Sequence, residues 1–264
     1  MAKILLAGDS WGIGVFSQTQ GNYGPTGEGI HTILQSLGHD VINISKAGGA
    51  NWLMMDRLNH NWNNDTRCFF GVDPEDQKDF NIDEIDYVVF LQTDIFREQY
   101  WYIKEHPDSV VVQKKWLSQN FVDSLLNFDS IQNFIDQYFE SFYTELNKFA
   151  YKNNKKILCV GGWNKLHPSI SYYSNLVPVI PSACQFLVPD LKEDVYLSDP
   201  EWFIQLDENP KIVEKFNTEL KTLALQTVDK YNKLIAEWND CHPKLDGYQK
   251  IALEIASFFD KNLN

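Results

Sequence analysis

Lys3-Ile4-Leu5-Leu6-Ala7-Gly8-Asp9-Ser10-Trp11-Gly12 stands at the start of the chain, and its reading decides the fold. Ile4 to Ala7 is a short apolar run of the kind that forms a buried strand. It stops abruptly at Gly8-Asp9-Ser10. Glycine lets the backbone turn sharply, so the stretch predicts a serine delivered onto a tight loop, with its hydroxyl toward a cleft. The first strand of the fold then carries the candidate site.

Similar runs recur along the chain. Asp40 to Ile44, Tyr87 to Leu91 and Lys156 to Val160 read as strands, and Leu176 to Ile180 is a weaker fifth, interrupted by Pro178. Helical spacing alternates with them. Glu28 to Leu37 is followed by the stop signal Gly38. A long helix is expected from Ser130 to about Lys152, capped by Asp129 or Ser130. Two more are expected from Lys211 to about Trp238 and from about Leu245 to Asn262. Strands alternating with helices predict an α/β fold, a three-layer α/β/α sandwich around a mostly parallel five-stranded sheet. In such sheets ligands gather at the carboxyl ends of the strands, where Ser10 is expected. Three long, aromatic-rich stretches break the alternation, at about 62–86, 96–128 and 166–209. They read as insertions into a single domain spanning 1–264, of the kind used as lids or partner surfaces.

The bulk numbers narrow the function. The chain has 264 residues and is 44% hydrophobic, enough to build a substantial core. Its net charge of −13 disfavours nucleic acid and offers no basic face to an anionic membrane. Cys68, Cys159, Cys184 and Cys241 form no CxxC pair, which argues against a zinc knuckle or dithiol motif, and Cys159 sits in a strand-like run where it is expected to be buried. No run is long enough to span a bilayer, and the first is too short for a signal peptide. The expectation is a soluble protein, cytoplasmic or released by a route that reads no N-terminal signal. Gly8, Gly12 and Gly14 do not make GxGxxG, and no GK[ST] phosphate loop occurs, so a nucleotide cofactor is not called for. No cofactor or metal is expected.

A serine nucleophile needs a base, an orienter for that base, and donors for the oxyanion. Near the other end of the chain, Asn239-Asp240-Cys241-His242-Pro243 precedes Gly247-Tyr248, and His242 is the candidate base. Gly8-Asp9-Ser10 near the start, with His-Pro and then Gly-Tyr near the end, resembles the SGNH (GDSL-type) hydrolases. Val41-Ile42-Asn43 followed by Ala47-Gly48-Gly49 is similar to that family's second block. The resemblance spans nearly the whole chain with its features in family order. It implies a flavodoxin-like fold and ester hydrolysis, with Ser10 as nucleophile and the amides of Ser10 and Gly48 in the oxyanion hole. Asp9 reads as a hydrogen-bonder within the loop.

The chain departs from the family pattern twice. The third block, Gly-x-Asn-Asp in the family, is Leu91-Gln92-Thr93-Asp94 here, and Asp94 is aligned with the oxyanion-hole Asn. An ionised carboxylate there would repel an oxyanion, so either Asp94 is protonated, or Thr93 or Gln92 donates, or Asp94 pairs with Arg97. The family's orienting Asp, three residues before the His, is Asn239, while Asp240 stands two before it. Either residue, or a backbone carbonyl, is left to orient the ring. Trp11, Gly49, Asn51, Trp163, Asn164 and His167 are the candidate substrate-binding residues. The leading expectation is a serine esterase, tipped by the aromatic insertions toward an O-acyl group on a carbohydrate. The competing expectation is a non-catalytic binding or structural module on the same fold.

Overall fold

The computed structural model of the chain describes residues 1–14, 16–19, 22–25, 27–45, 51–60, 80–93, 119–162, 164–191, 209–238 and 242–262. Five parallel strands form the central sheet: β1 (Lys3–Ala7), β4 (Asp40–Asn43), β5 (Tyr87–Gln92), β6 (Ile157–Gly161) and β7 (Leu176–Ile180). Their spatial order is β4-β1-β5-β6-β7. Counting only this sheet, the order is 2-1-3-4-5, the flavodoxin-like arrangement, so the expected fold is the observed one. All five expected strands are present, the weak fifth included. Pro178 is tolerated because β7 is an edge strand, and the pairing with β6 slips beside it, between Cys159 and Val160.

Side-chain alternation along the strands builds two cores. Leu5, Ala7, Val88, Phe90, Ile157 and Cys159 face one side of the sheet; Ile4, Leu6, Val89, Leu91, Leu158 and Val160 face the other. The first face is covered by α3 (Asn51–His60), α4 (Gln119–Leu126) and α5 (Ile131–Lys152), and the second by α2 (Ile30–Ser36), α6 (Ala183–Leu187) and the C-terminal helix α8 (Leu245–Asn262). The long α7 (Pro210–Trp238) serves both. Ile212, Phe216 and Leu220 join the first core and Leu234 the second, and its backbone departs from helical geometry at Phe216. Burying each large apolar side chain contributes about 1.5–3 kcal/mol, so the fully buried Phe139 and Phe142 of α5 are among its strongest anchors.

Local signals explain the helix boundaries. Ser130 caps α5, its hydroxyl accepting from the Asn133 amide at 3.0 Å. Gly38, at φ +91, ends α2 in the left-handed conformation that glycine tolerates. Some elements were not legible in the sequence. The antiparallel hairpin of β2 (Phe16–Thr19) and β3 (Asn22–Pro25) lies between the first serine-bearing turn and α2, and α3 and α4 were not foreseen. Of the expected insertions, 166–209 is in part framework, because it holds a 3-10 turn (Pro168–Tyr172), β7 and α6. Residues 61–79, 94–118 and 192–208 lie outside the described set. Cys159 and Cys184 are buried free thiols, and burial pushes the Cys159 thiol well up, so it is inert. No helix among the described residues is long and apolar enough to cross a membrane.

Candidate active site

In a 2-1-3-4-5 sheet the strand order reverses between the first strand and its neighbour β5, and the crevice outside their carboxyl ends is the expected ligand site. β1 ends at Ala7 and β5 at Gln92, so Gly8-Asp9-Ser10 and Thr93 emerge side by side at that point. Ser10 opens the one-turn helix α1 (Ser10–Ile13). Asp9 is its cap: the carbonyl accepts from Gly12 N at 3.0 Å, and the carboxylate Oδ1 accepts from Trp11 N at 2.9 Å. Asp9 is buried, and its second oxygen, Oδ2, accepts from the Thr93 hydroxyl at 2.6 Å. The loop hydrogen-bonding expected of Asp9 is therefore its observed work.

Glycines allow the close packing around this turn. Gly8 lies against Leu91, and a Cβ on it would sit 3.0 Å from that side chain. Gly14 has φ +122, and a Cβ there would lie 2.1 Å from the Glu28 carbonyl. From β4, the Asn43 amide donates to the Gly12 carbonyl at 2.9 Å while its oxygen accepts from Ser45 N at 3.0 Å. Asn43 thus ties α1 to the segment that leads toward Gly48. Gly48 and Gly49 themselves lie outside the described residues, as do Asp94, Trp163, Asn239 and Asp240.

Thr93 is held from the other side. Asn51, the fully buried first residue of α3, accepts from Thr93 N at 2.9 Å and donates to Thr93 O at 3.1 Å. Its remaining donor reaches the Tyr138 hydroxyl at 3.3 Å. Both Thr93 donors, N–H and O–H, are thereby engaged within the protein. Gln92 is engaged as well: its amide donates to the Lys165 carbonyl at 2.8 Å, and its oxygen accepts from the Tyr143 hydroxyl.

His242 lies in the segment leading into α8 and is half-buried. Two contacts fix this segment. A Cβ on Gly247 would lie 2.9 Å from the Pro243 ring, so only glycine lets Pro243 fold back onto the first turn of α8. The buried Tyr248 hydroxyl donates to the Gly14 carbonyl at 3.2 Å. The His-Pro and Gly-Tyr pieces are therefore one packed unit, and it touches the end of the serine-bearing turn.

The expected substrate-binding residues are placed inside the protein where they are described. Trp11 is 1% exposed and packs in the second core with Ile4, Leu6 and Tyr248, so its ring meets protein and is no open pocket wall. Asn51 is committed to Thr93, and Asn164 is fully buried. His167 belongs to a separate closed network. Its Nδ1 meets Ser169 Oγ at 2.8 Å, its Nε2 meets Asp136 Oδ1 at 3.0 Å, and its ring stacks on Phe139. Its backbone N–H donates to the Tyr143 hydroxyl at 3.0 Å. These contacts tie the loop after β6 to α5 and engage both ring nitrogens of His167 within the protein. The buried amide of Asn51 and the hydroxyls of Thr93, Tyr143 and Tyr248 are the polar groups whose partners the sequence reading missed. The available signal was a polar pair, Gln92-Thr93, directly after a fully apolar strand, where buried polar groups have to find partners.

No family model matches the sequence, and no curated protein matches it. Among solved structures, the chain is similar to an alpha/beta hydrolase enzyme from the metagenome of Lake Arreo, Spain, at 11% identity, covering 97% of this chain and 94% of that one with a TM-score of 0.37. It is also similar to an acetyl xylan esterase, AlAXEase, at 14% identity, covering 97% of this chain and 98% of that one with a TM-score of 0.38. Likenesses at this level assign no activity to the chain.

Proposed function

We propose that the protein is a serine hydrolase of SGNH type that cleaves an ester. The observation that carries this reading is the Tyr248–Gly14 hydrogen bond, which joins residues 234 apart in sequence and brings the His242 segment to the turn that Ser10 opens. The bond supports the reading because it links the two segments that carry the candidate nucleophile and the candidate base.

In this reading His242 takes the proton from the Ser10 hydroxyl as the oxygen attacks the acyl carbon. The C–O bond to the serine forms, and the tetrahedral oxyanion is met by the backbone amides of Ser10 and Gly48. Collapse breaks the bond to the alcohol, which leaves with the proton from His242. Water, deprotonated by the same His242, then cleaves the acyl-enzyme and restores the Ser10 hydroxyl. Asn239 or Asp240 orients the imidazole. The Thr93 and Gln92 side chains, both already engaged, serve the frame of the site. The aromatic content of the insertions supports an O-acyl group on a carbohydrate as the substrate class. Ser10→Ala tests the mechanism: loss of hydrolysis of a short-chain aryl ester with the fold intact supports it, and undiminished turnover defeats it.

A further inference from the structure

We infer that Asn51 and Thr93 are positioning residues for Ser10, acting through Asp9 by a buried chain of hydrogen bonds across the β1–β5 switch point. The inference rests on the reading of Ser10 as nucleophile. Thr93 is the first residue beyond β5, and the β5–β6 pairing runs out one residue earlier, at Gln92 and Gly161. The Asn51 side-chain amide takes over there. It accepts from Thr93 N and donates to Thr93 O, at 2.9 and 3.1 Å, as a neighbouring strand would.

With its backbone fixed on both sides, Thr93 is held so that its hydroxyl meets Asp9 Oδ2 at 2.6 Å. That length is typical of a hydroxyl donating to a carboxylate, a bond about twice as strong as a neutral one. The opposite oxygen of Asp9 holds Trp11 N at 2.9 Å. Ser10 is the residue between Asp9 and Trp11, so its backbone is pinned at both flanks by one carboxylate whose orientation Thr93 sets. Asp9, Asn51 and Thr93 are each at most 2% exposed, which keeps water from substituting for any bond in the chain. A reacting hydroxyl has to be held near its productive geometry, and a misplacement of about 1 Å costs on the order of 10²-fold in rate.

The test compares Thr93→Val, which keeps the shape and removes the hydroxyl, with Thr93→Ser, which keeps the hydroxyl. Three readouts are used: kcat and KM on an aryl ester, the rate of fluorophosphonate labelling of Ser10, and hydrogen exchange of the Trp11 amide against that of Val89 in the middle of β5. Thr93→Val is expected to lower kcat and the labelling rate by about 10–100-fold with KM little changed. It is also expected to speed Trp11 exchange while leaving Val89 protected, and Thr93→Ser is expected to restore both. A folded Thr93→Val protein with unchanged kcat and unchanged Trp11 exchange overturns the inference, and so does a Thr93→Ser protein as impaired as Thr93→Val. If Thr93→Val does not fold, Thr93→Cys, a weak donor of similar shape, replaces it with the same criteria. Failure of the wild-type protein to label at Ser10 defeats the hydrolase reading, and the exchange comparison still decides whether the chain of bonds holds the turn.

Discussion

Gly12 and Ser45 are packed so closely that a Cβ on Gly12 would lie 2.1 Å from Ser45 Oγ and 2.6 Å from Ser45 Cβ. Ser45 does not yield easily, because its backbone N–H is held by the Asn43 side chain, which also grips the Gly12 carbonyl. The turn that carries Ser10 is thus seated directly on the end of β4, and the contact tolerates no side chain. Gly12→Ala is expected to destabilise the protein by about 1–3 kcal/mol, the range for overpacking. Ser45→Gly in the same chain makes the room and is expected to recover most of the loss. Urea unfolding of the two single variants and the double variant measures the coupling.

Gly247 plays the corresponding part on the histidine side. Gly247→Ala drives a methyl group into the Pro243 ring, with Leu187 close behind at 3.2 Å. Leu187 is able to rotate, but the proline ring is rigid, so the segment holding His242 has to move. The expected outcome is a loss of about 1–3 kcal/mol and a drop in kcat larger than the change in KM. Thermal unfolding and ester kinetics on the purified variant check both parts.

Tyr143 joins the end of β5 to the loop after β6. Its hydroxyl donates to the Gln92 side chain and accepts the His167 N–H. Tyr143→Phe keeps the ring in the core and strips two buried groups of their partner. A loss of about 1–3 kcal/mol is expected, read as a lowered urea midpoint with an unchanged slope.

His31 gives a stability term that depends on pH. Partial burial in α2 favours its neutral form and lowers its pKa below the ordinary value of 6.5. As pH falls through 6.5 the unfolded chain takes up a proton that the folded chain refuses. The stabilisation is therefore full above the ordinary histidine pKa and is lost as pH falls toward the lower folded value. His31→Gln is expected to flatten the decline in urea midpoint between pH 7.5 and 5.5. A variant with the wild-type slope contradicts this.

The sheet was legible because its strands are short, continuous and apolar, and because Gly38 and Ser130 mark helix ends by well-understood chemistry. The location of the Ser10 turn followed from the abrupt stop of the first apolar run at Gly8-Asp9-Ser10 and from the alternation of strands with helices. The roles of Trp11 and His167 did not. An aromatic next to a serine and a histidine after a Gly-Gly strand exit both suggest a ligand, yet tertiary packing buries the first among Ile4 and Leu6 and gives the second to Asp136 and Ser169. The bonds from Asn51 to Thr93 and from Thr93 to Asp9 span 42 and 84 residues, and nothing in local spacing encodes such pairings. The hairpin of β2 and β3 escaped for a simpler reason: two four-residue strands carry too little apolar alternation to stand out.

The most direct test of the hydrolase reading is labelling of the folded wild-type protein with a fluorophosphonate, followed by peptide mass spectrometry. The prediction is a single adduct on Ser10, abolished by Ser10→Ala and slowed at least tenfold in His242→Ala, since a positioned base contributes about 10²–10⁴-fold to such a step. A folded wild-type protein that takes up no probe, or takes it up equally after Ser10→Ala, would contradict the assignment of Ser10 as the nucleophile.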